Sequence, residues 1–107
     1  MKLRPDNVFE LLPEDLDTEV VESIVNSKNV KVERIISKGH TSPAKGWYDQ
    51  SQAEWVIVLQ GEAIIIFEND KEYHLVVGSY LNIPVRTKHK VKWTKPETET
   101  IWLAVHY

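Results

Sequence analysis

Two apolar runs, Trp55-Val-Ile-Val-Leu59 and Ala63-Ile-Ile-Ile-Phe67, are separated only by Gln60-Gly61-Glu62. Both are too short for a core helix, and both are rich in β-branched side chains, whose restricted χ1 favours the pleated strand. The glycine between them supplies the turn. The centre of the chain is thereby committed to β-structure, and the same grammar extends to both sides of it. Val30–Ile36, Glu72–Val76, Ser79–Ile83, Thr87–Trp93 and Ile101–Tyr107 read as further strands. Asn26-Ser-Lys-Asn29, Glu68-Asn-Asp-Lys71, Val77-Gly78 and Thr94-Lys-Pro-Glu-Thr98 supply the turns between them. Residues 19–25 fit a helical face as well as a strand, but their β-branching and the turn that follows favour the strand. Eight short strands with turn signals about every 8–12 residues predict an all-β sandwich or jelly-roll barrel.

Before residue 19 the signal is weaker. Asn7-Val-Phe-Glu-Leu-Leu12 predicts one or two helical turns ahead of Pro13, capped by Asp6 or Asn7, with Phe9, Leu11 and Leu12 packing onto the main domain. The domain reading is an N-terminal extension over residues 1–29 and a barrel over residues 30–107. Ala63–Phe67, apolar at every position, predicts a strand buried on both faces.

With 107 residues the chain has the length of one domain. Its formal net charge of −3 gives no bulk electrostatic reason to expect a nucleic-acid or membrane partner. No cysteine is present, which removes thiolate nucleophiles, disulfides and sulfur-ligated metals. No apolar run has the length to span a bilayer, and Met1-Lys-Leu-Arg-Pro-Asp6 lacks the apolar core of a secretory signal. The expected location is cytoplasmic. There is no βαβ alternation, phosphate-binding glycine loop or nucleophile elbow.

Strand phase selects the candidate functional residues, because successive side chains face opposite ways. Glu54 shares a face with Val56 and Val58, opposite Trp55, Ile57 and Leu59. His89 shares a face with Val91 and Trp93, opposite Lys88, Lys90 and Lys92, which require water. His89 is thus expected in the barrel interior as a metal ligand, a general base or a hydrogen-bonded core histidine. His74 and His106 read as structural.

These stretches resemble the paired signature motifs of the cupin superfamily, small jelly-roll barrels also described as double-stranded β-helices. Six residues separate Glu54 from Gly61, as in the first motif. Gly78, Pro84 and His89 fall in register with the second, while Arg86 stands where the family has a further Gly and Trp93 where it has Asn. The resemblance covers roughly residues 30–107. It departs at the His-x-His pair. Counting back from Glu54 with four intervening residues puts Asp49 and Trp47 on the two histidines, and with three, Gln50 and Tyr48.

In metal-binding cupins the missing pair, the Glu and the later His hold a divalent ion. The resemblance therefore implies a site of His89 and Glu54, with Asp49, Gln50 and a swung-in His40 as the remaining donors. Such a donor set suits Fe, Mn, Ni or Zn. Tyr48, Arg86 and Trp93 are the expected pocket residues, with Arg86 an anchor for an anionic group. The resemblance also implies a homodimer, with which an outward face of Trp55, Ile57 and Leu59 is compatible. The function expected is binding of a divalent metal, a small polar metabolite or both in the barrel mouth. Whether the chain is an enzyme stays open, since cupins span dioxygenases, isomerases, lyases and pure binders. The lost histidines favour the alternative, a metal-free, non-catalytic module for a small ligand.

Overall fold

Gly61 shows how tightly the two central strands are joined. It holds φ +88°, and a Cβ on it would lie 2.3 Å from Thr100 Oγ1 and 2.7 Å from Thr100 Cα. Only glycine lets the turn between Glu54–Gln60 (β3) and Ala63–Phe67 (β4) pass this close to the strand Thr100–His106 (β8). In the computed structural model, which describes residues 3–107, five further strands complete the architecture. They are Val20–Asn26 (β1), Lys31–Ser37 (β2), Glu72–Leu75 (β5), Tyr80–Ile83 (β6) and His89–Thr94 (β7). All eight are β, including the ambiguous segment that becomes β1, and all pairings are antiparallel.

A five-stranded sheet in the order β1-β2-β8-β3-β6 faces a three-stranded sheet in the order β5-β4-β7. This is the two-sheet jelly roll. The shared interior is apolar at one end, where Val58, Ala63, Ile65, Leu75 and Trp102 are at most 3% exposed. Full burial of a Val, Leu or Ile side chain contributes about 1.5–3 kcal/mol, so this end holds the sheets together. The other end is polar, and there the start of β3 meets the end of β8 with Glu54 opposite His106.

Three local expectations are corrected. Residues 7–12 form a turn and no helix: the Asn7 side chain accepts from Phe9 N–H at 2.8 Å, and Asn7 O accepts from Glu10 N–H at 3.1 Å. Pro13 prevents propagation beyond that turn, and Phe9 and Leu11 are exposed. Instead, buried Arg34 on β2 holds this segment, donating to the carbonyls of Val8, Glu10 and Leu11 at 2.6–3.2 Å and to Glu22 on β1. β4 buries Ala63 and Ile65 while Ile64 and Ile66 stay partly exposed, because only one of its faces meets the second sheet.

The third correction concerns β7. Its ladder with β4 slips between Ile64 and Ile65, so that Ile64 pairs with Trp93 and Ile65 with Val91. One extra residue, Lys92, reverses the alternation. Thr94, 1% exposed, takes the interior position, and Trp93 lies on the outer face against the His74 ring, centroids 6.4 Å apart.

Candidate functional site

The polar end of the barrel encloses a cavity of about 160 Å³. Alternation along β3 delivers Glu54 to it, and along β2 it delivers Glu33 and Ile35. β8 contributes Trp102 and His106, and β7 contributes His89 and Val91. The loop before β3 closes one side. Its backbone bridges β7 through Tyr48 N–H to His89 O at 2.8 Å and Val91 N–H to Ser42 O at 2.8 Å. This places Tyr48, Gln50 and Ser42 on the cavity wall, together with Glu19 from just before β1.

Two imidazole–carboxylate pairs dominate the lining. His89 is 4% exposed, its Nδ1 lies 2.8 Å from Thr87 O and its Nε2 3.3 Å from Glu54 Oε1. A carbonyl only accepts, so Nδ1 carries a proton directed at Thr87. Nε2 faces the Glu54 carboxylate, to which it donates when the ring is protonated. Burial works against the charged ring, but the hydrogen bonds it donates to Glu54 and to the Thr87 carbonyl outweigh it and raise the His89 pKa above its ordinary value. The second pair is His106 Nε2 with Glu33 Oε1 at 2.8 Å. Lys31 approaches the other Glu33 oxygen at 3.6 Å. Burial, followed by the charges of Glu19, Glu54 and Glu33, pushes the Tyr48 phenol above its ordinary pKa despite a bond from Ser42, so it remains a neutral O–H.

The sequence-derived candidates divide. Glu54, His89, Tyr48 and Gln50 come together on the cavity wall. Asp49 does not join them. It is exposed and lies 3.6 Å from Arg86, in an outer hollow that shares only Gln50 and His106 with the cavity. Arg86 faces this hollow, fixes Gln50 by donating its backbone N–H to Gln50 O at 2.8 Å, and holds φ +53°, the left-handed conformation for which a glycine is suited. His40 is turned away. Its Nδ1 accepts from Lys38 N–H at 2.9 Å and its Nε2 meets Asp17 O at 3.1 Å, so both ring nitrogens are engaged outside the cavity. Trp93 is outside as well, through the β7 bulge.

Glu33, His106 and Glu19 are cavity residues that the sequence reading did not select. Phase did show His106 in step with Trp102 and Ala104. Glu33 was hidden because the outer side of β2 is also covered, by the segment Arg34 holds, so apolar alternation could not tell inside from outside.

The Cupin domain family matches residues 33–106, which is most of the chain and takes in β3 to β8 and all but the first two residues of β2. The chain belongs to the cupin superfamily. A Ralstonia eutropha structure described as a candidate mannose-6-phosphate isomerase is 38% identical over 97% of each chain, with a TM-score of 0.90. A Desulfitobacterium hafniense cupin superfamily protein is 20% identical, covers 99% of this chain and 92% of its own, and has a TM-score of 0.81. A Methanocaldococcus jannaschii RmlC-like cupin with a double-stranded β-helix fold is 19% identical, covers 89% of this chain and 84% of its own, and has a TM-score of 0.70. The latter two share the fold. No curated protein matches the chain.

Cupins often hold a divalent metal, and the donor set here can be tested against one. Of the implied ligands Glu54, His89 and Gln50 line the cavity; Glu54 and His89 are hydrogen-bonded to each other, and Gln50 offers only a neutral amide. The two His-x-His positions carry Tyr48 and Gln50 or Trp47 and Asp49. Tyr48 is a neutral phenol, and Asp49 faces Arg86. Among the described residues no three His, Asp or Glu side chains are placed to hold one ion. The residues present do not fit the family's metal.

Proposed function

We propose that this cupin binds a small polar molecule inside the barrel without a divalent metal. The observation that carries this reading is a cavity of about 160 Å³ whose wall combines the His89–Glu54 and His106–Glu33 pairs with an apolar floor. The volume is close to the roughly 150 Å³ of an apolar protein cavity that admits benzene. A ligand of that size is surrounded on most sides, and a few convergent polar groups on an apolar wall confer orientation and selectivity. Arranged in this way, the imidazoles and carboxylates can donate to and accept from hydroxyl, amine or carbonyl groups.

The test has two arms. Chelator-free protein should carry well under one equivalent of Fe, Mn, Ni or Zn by mass spectrometry. Chelator-treated protein should still bind members of a small polar fragment set by ligand-observed NMR, and His89→Asn and Glu54→Gln should weaken that binding. Near-stoichiometric metal, lost in His89→Asn, would overturn the metal-free reading. Absence of any fragment binding would overturn the ligand reading.

A further inference from the structure

We propose that His106 is the hydrogen-bond acceptor that selects the ligand, and that Glu33 sets it to that role, so that the site takes a molecule presenting an O–H or N–H donor to the ring. The inference rests on the small-ligand reading above and adds a requirement to it. Two imidazoles line the cavity, and they differ in what their nitrogens have left to offer. In His89 both are engaged, Nδ1 with Thr87 O and Nε2 with Glu54. In His106 only Nε2 is, with Glu33 Oε1 at 2.8 Å. Its Nδ1 makes no hydrogen bond among the described residues, and the residue is 7% exposed. Nor is that atom sealed in the protein, since Trp102 Nε1 is the one buried side-chain nitrogen or oxygen that has neither surface nor partner among the described residues. The surface left to Nδ1 opens on the space that the ring borders, the inner cavity on one side and the outer hollow on the other. A buried polar atom that no protein group satisfies is matched by a ligand or by water.

The proton on the ring decides what Nδ1 offers. A neutral imidazole carries one proton, and the partner of one nitrogen determines the role of the other. The Glu33 carboxylate only accepts, so Nε2 holds the proton and Nδ1 keeps a bare lone pair. Lys31 lies 3.6 Å from the other Glu33 oxygen and holds the carboxylate from its far side. The register builds this arrangement. Lys31 stands opposite His106 across β2 and β8, and Glu33, two residues further on, shares its face. A hydroxyl or amine can donate to such a nitrogen. A carbonyl or ether oxygen placed there would set one lone pair against another, and the nitrogen would lose water without gaining a bond. Discrimination of that form rejects an analogue more strongly than a difference in apolar size does. His106 therefore recognises one feature of the ligand, a donor, and Glu33 is a positioning residue that acts through it.

The experiment measures the proton and the preference separately, on the full chain at about pH 8, where an ordinary imidazole is neutral. Long-range proton–nitrogen correlation NMR locates the ring proton. His106 should show Nε2 protonated and Nδ1 bare; a proton on Nδ1 would overturn the inference. Ligand-observed NMR then compares cyclopentanol with cyclopentanone, one skeleton that differs by a donor at a single carbon. Cyclopentanol should bind about tenfold tighter or more, and its addition should shift the Nδ1 resonance. Glu33→Gln should reverse the preference. With Lys31 beside its amide oxygen, the amide N–H donates to Nε2, the ring proton moves to Nδ1, and cyclopentanone becomes the tighter probe. If Glu33 only held β2 against β8, the variant would weaken both probes alike and leave the tautomer unchanged, and that result would refute its positioning role. His106→Gln keeps a donor for Glu33 and removes Nδ1, and should bring the two affinities within about twofold of each other. Should either variant fail to fold, the wild-type tautomer and ranking decide. Equal binding of the two probes to the wild type, or silence of both, would overturn selection by His106, and the fragment measurement above would then decide the wider reading separately.

Discussion

Replacing Gly61 and Gly78 separately by alanine distinguishes two reasons for a glycine. Both hold a left-handed φ, +88° and +89°. A residue with a Cβ costs roughly 1–2 kcal/mol more than glycine there, partly offset by the lower entropy of the unfolded alanine chain, about 0.4–1 kcal/mol. At Gly78 nothing lies within 4 Å of the added Cβ. Gly78→Ala should therefore lose only about 1 kcal/mol. At Gly61 the added atom meets Thr100 Cα at 2.7 Å and Cβ at 2.9 Å as well as Oγ1 at 2.3 Å. A backbone atom of a central strand cannot rotate away, so β3 and β8 must separate locally. Overpacking of this kind adds about 1–3 kcal/mol, for a total of about 2–4 kcal/mol. Urea unfolding measures both, since a single domain of this size unfolds as one cooperative unit. In a double-mutant cycle, Thr100→Ala should relieve part of the Gly61→Ala loss by removing Oγ1, but not all, because Cα remains. Equal losses for the two glycine variants would refute the close-approach argument and leave backbone conformation as the sole reason.

His89 should titrate above the ordinary histidine value of about 6.5. A raised folded-state pKa contributes stability that is fully present below the unfolded value and is lost as pH rises through the folded one, so this share of stability should decline above about pH 6.5. NMR titration checks it, and Glu54→Gln should lower the His89 pKa and flatten that decline; an unchanged titration would assign the shift to the Thr87 carbonyl alone. Arg34→Met should release residues 8–11 from β2 and cost about 1.5–3 kcal/mol, the range for a hydrogen bond to a charged group. Limited proteolysis should then cut there first, and continued protection would show that other contacts hold the segment. The outer face of the large sheet aligns Val25, Val32, Val105 and Trp55 in one row and Leu103, Ile57 and Tyr80 in the next. We expect the chain to dimerise through this face, so Trp55→Glu should shift a dimer to monomer by light scattering; a wild-type monomer would refute it.

Legibility in the sequence followed the range of the interactions involved. The start of the strand from Glu54 was legible because its alternation runs unbroken from Glu54 to Val58, ahead of the register shift between Val58 and Gln60, and the same held for His89 and Val91 at the start of β7. Trp93 was misplaced because a single bulged residue, Lys92, changes parity without a local sign: the slip is dictated by the ladder with β4, which is distant in the chain. Glu33 was missed although Val30–Ile36 alternates apolar and polar, because apolar Val32 is not on the cavity side with Glu33 and Ile35, and the outer side of the strand is covered by a segment more than twenty residues earlier. His40 illustrates a third limit. Its position near the motif placed it within reach of the site, but hydrogen bonds to Lys38 and Asp17 turn the ring outward.

By itself the sequence determined the all-β class, the strand-turn rhythm, the cupin resemblance and the loss of the His-x-His pair. These depend on local periodicity, on residues that tolerate left-handed turns and on spacing along one chain. Tertiary structure decided which polar residues meet. It joined Glu54 to His89 and Glu33 to His106 across separate strands, placed Glu19 and Trp102 on the same wall, and left Asp49 with Arg86 outside. The reason is that a cavity is made by strands remote in sequence, and its charge is the sum of side chains brought there by register and bulges.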